Sequence, residues 1–299
     1  MDYLFFVHLL NGLLMVGMPL GLVVYLTWRF RMGWRLWSIG AATFVLSQVG
    51  HIPFNALLTR LFQLGVLPQP PAAWWPYFNP VVLGLSAGLF EELSRAAIYA
   101  WWARDARSWR RGVLLGAGHG GAEAILLGVL VLYTFLQMAA LRNADLSTLI
   151  PAGQIQLAQQ QLHAYWSASW TASLLGAVER LFTIPTQICL SVIVLQAFTR
   201  RQPGWVALAV LWHATLDGVT VYLGSLWQGL PWASYAIEGV IGVMAVMSVI
   251  ILFALRRPEP EPEPVPAAPV PEPIPLQSIQ PVTMSQEITP EALDKSKYV

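Results

Sequence analysis

Residues 112–141 read GVLLGAGHGGAEAILLGVLVLYTFLQMAAL, an apolar run longer than the about 20 residues a helix needs to cross a hydrocarbon core. Two ionisable groups interrupt it. His119 and Glu123 stand four residues apart, so a helix sets both on one face, beside Gly120 and Gly121, where a second helix can approach closely. A charge at the bilayer centre costs about 2.5 to 3.5 kcal/mol even on insertion scales. The stretch therefore predicts a membrane helix whose polar face meets other helices rather than lipid.

Outward from this run the same texture recurs. Spans are expected at residues 3–27, 37–58, 80–103, 112–141, 168–199, 204–223 and 235–255, which predicts an all-α, polytopic transmembrane bundle of about seven helices. The composition agrees, with 56% hydrophobic and 11% charged residues in 299, and an integral membrane protein follows, in the cell membrane if the source is bacterial. Nucleic-acid binding finds no support. Cys189 is the single cysteine, which excludes an intramolecular disulfide and a Cys-rich metal site. The first run begins Met1, Asp2, Tyr3 without a basic segment, so it reads as a retained span and not a secretory signal.

Arginines set the expected orientation. Arg29, Arg31, Arg35, Arg104, Arg107, Arg110, Arg111, Arg200, Arg201, Arg256 and Arg257 fall between spans on one side, against Arg60 and Arg142 on the other. The positive-inside rule then places the N-terminus outside and the C-terminus in the cytoplasm. The run 168–199 is too long for one crossing, at roughly 48 Å against a core of about 30 Å. It is expected either to kink at Pro185 or to divide into a re-entrant piece and a shorter helix. Residues 1–257 read as the transmembrane domain, and residues 258–299, rich in Pro and Glu, as a disordered cytosolic tail open to a cytosolic partner.

Three further polar clusters lie inside predicted spans. Glu91, Glu92 and Arg95 share the third, Glu179 and Arg180 the fifth, and His213 and Asp217 the sixth. Glu92, Glu123 and His213 each lie twelve residues from an arginine at the basic end of their span, roughly 18 Å of helix, so all three are expected at one mid-membrane level. Glu179 and Arg180 are expected nearer the outer leaflet. Two histidines and a carboxylate can hold Zn²⁺ with one position left for water, and a further glutamate can act as general base; no contiguous His-Glu-x-x-His supplies such a set here. On this reading Glu91, Glu92, Arg95, Glu123, Glu179 and Asp217 are the candidate catalytic residues, and His119 and His213 the candidate metal ligands. The plainer alternative is that Glu91 with Arg95, and Glu179 with Arg180, neutralise each other and fix helix packing. His8 and His51 are expected near interfaces, His163 in an outer loop, and Asn11, Gln48 and Asn55 in interhelical hydrogen bonds.

At Glu-Glu-Leu-Ser-Arg (91–95), Gly-His-Gly-Gly-Ala-Glu-Ala (118–124), Glu-Arg-Leu-Phe (179–182) and His-Ala-Thr-Leu-Asp (213–217), the chain resembles the YhfC-type intramembrane metalloproteases. These are themselves similar to the CAAX-prenyl-endopeptidase and bacteriocin-processing (CPBP) superfamily. The resemblance implies a helical bundle in which a glutamate of the first motif activates water for peptide hydrolysis, while later histidines bind metal or stabilise the oxyanion. Two residues, not the superfamily's three, separate the Glu pair from Arg95, and Gln187 stands where histidine is expected. Helical spacing favours Glu91 as the partner of Arg95 and Glu92 as the base. The expected function is a membrane-embedded peptidase acting on a membrane protein or peptide. An ion- or proton-coupled transporter and an inactive membrane scaffold are the alternatives.

Overall fold

A computed structural model describes residues 3–257, and their regular structure is helical. Seven long helices correspond to the seven expected spans: α1 (Tyr3–Phe30), α2 (Arg35–Gln63), α3 (Trp75–Trp101), α4 (Trp109–Leu141), α8 (Leu175–Thr199), α9 (Gly204–Leu226) and α10 (Ala233–Ala254). Between α4 and α8 lie three shorter helices, α5 (Leu146–Leu149), α6 (Ile155–Trp166) and α7 (Trp170–Ser173). Six of the long helices are long and apolar enough to cross a membrane. The seventh, α3, matches them in length but carries Glu91, Glu92 and Arg95, whose side chains its neighbours cover. Large apolar side chains such as Leu13, Val49, Leu130, Val243 and Ile250 face outward while charged ones face inward, the inversion expected of a protein embedded in lipid. The expected tail, 258–299, lies outside the described residues.

The α8 helix runs through the middle. Its residues from Thr186 to Gln196 are buried without interruption, because a helix apolar on every side can be covered on every side. The first half of α4, Gly112 to Ala122, is buried likewise. The expected single segment 168–199 divides at Leu174, and α8 continues through Pro185. Ser169 caps α7 through the N–H of Ala172 at 3.2 Å. At the start of α8 the N–H of Ala177 is shared between Leu174 O at 3.1 Å and Asn11 Oδ1 of α1 at 2.8 Å. A side chain on another helix thus adds to the local turn at the break, and no local spacing announces that contact. The loop expected around His163 contains α6 instead; His8 Nε2 lies 3.1 Å from Tyr165 O and its ring stacks on Tyr165 at 3.9 Å.

The basic connections gather at one end of the bundle. Arg35 and Arg111 both reach Asp105, Arg107 lies over Phe198, Arg110 over Phe30 and Arg256 over Trp109. Arg31 and Arg201 adopt φ of 53° and 55° just beyond α1 and α8, where Met32 N–H reaches Thr27 O and Gln202 N–H reaches Ala197 O, closing each helix with a left-handed turn.

Glycines bring main chain against main chain where the polar helices meet. A Cβ on Gly40 of α2 would lie 2.0 Å from Leu115 O, and one on Gly118 of α4 would lie 2.0 Å from Trp37 O. Between α3 and α9, a Cβ on Gly84 would come within 2.4 Å of Ala214 O and one on Gly88 within 2.7 Å of Val210 O. A backbone oxygen cannot swing aside as a side chain can. Gly118→Ala and Gly88→Ala are therefore expected to cost about 1 to 3 kcal/mol each, seen as earlier thermal unfolding in detergent. Unchanged unfolding of both variants would mean that the helices can part without penalty.

Candidate functional site

Those close contacts carry Glu91 into the centre of four helices. Its Oε1 accepts from Gln48 Nε2 of α2 at 3.1 Å, and its Oε2 lies 3.0 Å from His119 Nε2 of α4. Gln187 Nε2 of α8 stands 3.5 Å from the same oxygen, Arg95 Nη2 3.6 Å and His213 Nε2 of α9 3.9 Å. Glu92 points the other way round α3 and is fully buried. Its Oε1 accepts from Arg95 Nη1 at 2.5 Å and from His213 Nδ1 at 2.7 Å. Arg95, also fully buried, spends its other terminal nitrogen on Gln187 Oε1.

Gln187 joins this knot to a second one. Its amide nitrogen donates to Glu123 Oε2 at 2.9 Å, and Glu123 Oε1 accepts from Arg180 at 2.6 Å. Arg180 in turn holds Glu179. Glu123, Glu179, Arg180, Gln187, His213 and Asp217 line a cavity of about 290 Å³, closed by apolar side chains such as Leu83, Leu216 and Ile241. Asp217 lies 3.5 Å from His213 Nε2 and is the most open of these carboxylates. Glu91 lies behind that wall and meets the cavity through His213 and Gln187.

The eight residues singled out from the sequence thus form one continuous polar network. The pairing within it differs from expectation. Arg95 takes Glu92 as its close partner and leaves Glu91 at 3.6 Å, because i,i+3 neighbours also share a helix face and Gln187 draws the guanidinium toward α8. Glu179 and Arg180, expected nearer the outer leaflet, reach the network because Arg180 extends to Glu123. Two residues assigned to other roles belong here. Gln48 does bond between helices, but to Glu91, and His51 lines the cavity wall. The signal is the spacing of Gln48, His51 and Asn55, a polar stripe with helical period in an apolar span.

The two histidines expected to bind metal are 3.0 and 3.9 Å from one oxygen of Glu91. His213 holds Glu92 through Nδ1 and keeps Nε2 available, while Glu91 is shared with Gln48 and His119. Among the described residues no three His, Cys, Asp or Glu side chains are grouped to hold a metal ion. As placed, the donors do not fit a three-ligand Zn²⁺ centre.

Comparison with known proteins gives one family. The pattern described as YhfC intramembrane metalloprotease matches residues 14–252. A curated relative, "Uncharacterized membrane protein YhfC" of Bacillus subtilis (strain 168), is 28% identical over 247 residues, covering 80% of this chain and 92% of the relative. No solved structure gives a significant match.

Proposed function

The chain belongs to the YhfC intramembrane metalloprotease family, and from that premise we propose that it is a membrane-embedded peptidase whose general base is Glu91. The observation that carries the reading is the convergence of Gln48, His119, Gln187 and His213, from four helices, on this one carboxylate behind a cavity of about 290 Å³. Glu92 suits the base poorly. Its side chain has no exposure, against 8% for Glu91, and both Arg95 and His213 hold it.

Glu91 takes a proton from a water that enters from the cavity between His213 and Gln187, as the hydroxyl adds to the scissile carbonyl carbon. It returns that proton to the amide nitrogen as the C–N bond breaks, leaving a carboxyl and an amine. His119, at 3.0 Å, orients the carboxylate. His213, with Nδ1 fixed on Glu92, turns Nε2 to the cavity as the donor to the developing oxyanion, and Asp217 holds that edge. Arg95 holds Glu92 in place, while Glu123, Arg180 and Glu179 position Gln187 and bound peptide. By the positive-inside rule the arginine end of the bundle faces the cytoplasm.

The test uses the full chain in lipid nanodiscs with fluorescein-labelled casein and quenched transmembrane peptides. His213→Ala is expected to lower turnover by about 10²- to 10³-fold, the usual cost of losing an oxyanion donor. Unchanged cleavage by Glu91→Gln, Glu92→Gln and His213→Ala alike would place hydrolysis elsewhere. One Zn²⁺ per chain, lost in His119→Ala and in His213→Ala, would overturn the orienting and oxyanion-donating roles of the two imidazoles.

A further inference from the structure

Glu91 is approached from α2 by a line of polar side chains that runs on beyond Gln48 to His51 and Asn55, two residues without a part in the proposed reaction. Gln48 Nε2 donates to Glu91 Oε1 at 3.1 Å, His51 Nδ1 lies 3.4 Å from Gln48 Oε1, and Asn55 Nδ2 lies 2.8 Å from His51 Nε2. Ser86 Oγ of α3 stands 3.1 Å from that same nitrogen. The His51 ring stacks on Phe90 at 5.7 Å with 30° between planes, and its edge lines the cavity. The three residues stand at i, i+3 and i+7 on one face of α2, so the helix itself sets the line.

The carboxylate fixes the direction of every bond in it. An ionised Glu91 can only accept, so Gln48 must present its NH₂ to Glu91 and its carbonyl to His51. That carbonyl can only accept, so the His51 proton sits on Nδ1. Nε2 then carries a lone pair and needs a donor, which Asn55 supplies. One tautomer and one amide orientation satisfy the whole series, with every N–H pointing toward the base.

We infer that His51 is a positioning residue: the relay Asn55–His51–Gln48 holds the Glu91 carboxylate with one oxygen turned from His119 toward α2 and the other turned to His119, Gln187 and His213. Without the relay Gln48 can rotate and present its carbonyl to the carboxylate, and Glu91 swings from its bearing. The relay acts through Gln48 alone, and this separates it from packing. The kinetic arm of its test rests on the peptidase reading; the labelling arm does not.

In nanodiscs with fluorescein-labelled casein, His51→Phe keeps the stacked ring and removes both nitrogens. It is expected to lower kcat about tenfold with KM unchanged, as one hydrogen bond to a charged group is lost. His51→Asn places an amide N–H near the position of Nδ1 and is expected to stay within about threefold of wild type. Gln48→Leu is expected to match His51→Phe, and the double variant to match either single one, since both changes break one series. Additive losses in the double variant, or an Asn variant as slow as the Phe variant, would overturn the relay. The second arm follows attachment of N,N′-dicyclohexylcarbodiimide to Glu91 by mass spectrometry. A carboxylate released from its amide partner is expected to react about threefold faster in His51→Phe and Gln48→Leu, but not in His51→Asn. Equal rates in all variants overturn the relay; the expected rates in a wild type that cleaves nothing uphold it and remove the peptidase reading.

Discussion

Glu91→Gln is expected to lower peptide hydrolysis by about 10²- to 10⁴-fold, the range lost with a general base, while the protein folds and unfolds as the wild type does. The amide keeps the shape of the carboxylate: its oxygen can still accept from Gln48 and its nitrogen can donate to His119 Nε2, so only the long 3.5 Å contact with Gln187 goes unmade. Arg95 keeps Glu92 as its close partner at 2.5 Å, so no buried charge is stranded. What disappears besides that contact is the capacity to take a proton from water. Turnover by Glu91→Gln above about a tenth of wild type, with turnover by Glu92→Gln abolished, would transfer the role of base to Glu92.

Arg95→Met is expected to cost about 3 to 5 kcal/mol, the penalty for breaking a buried ion pair by removing one partner. Arg95 and Glu92 are both fully buried, and Met leaves Glu92 with His213 as its single hydrogen-bond donor while freeing Gln187 Oε1. The measurement is tryptophan-monitored thermal unfolding in detergent, with the monomer yield after extraction as a control. A variant that unfolds at the wild-type temperature but fails to cleave would show Arg95 acting on the reaction and not on the fold. The two substitutions therefore separate the adjacent glutamates of α3 by their consequences, one on chemistry and the other on folding.

Much of this is legible in the residues. The lengths and apolar texture of the runs give seven long helices with ends within a few residues, because lipid demands them. Counting residues from the arginines places Glu92, Glu123 and His213 at one level, and hydrogen bonds through Gln187 and Arg95 link those residues in space. What stays hidden depends on rotation about each helix axis and on contacts across helices. Spacing alone joins Arg95 equally well to Glu91 or Glu92, and a glutamine on α8 decides between them. The division at Leu174 is braced by Asn11, more than 160 positions earlier. Gln48 and His51 read as packing groups, because uncharged amides and a lone imidazole in a span usually are. Their helical spacing is visible in the sequence; the carboxylate they face is not.

The glycine contacts of α2 with α4 and of α3 with α9 make the reactive side chains passengers on rods that touch bone to bone. The cavity wall, by contrast, includes Leu216, Thr220 and Val221 of α9 and Ile241 of α10, whose side chains take no part in those glycine contacts. Cargo preference can then drift through such substitutions while the hydrolytic apparatus stays in register, so paralogues with divergent appetites are expected to differ in the wall and to agree in the rods.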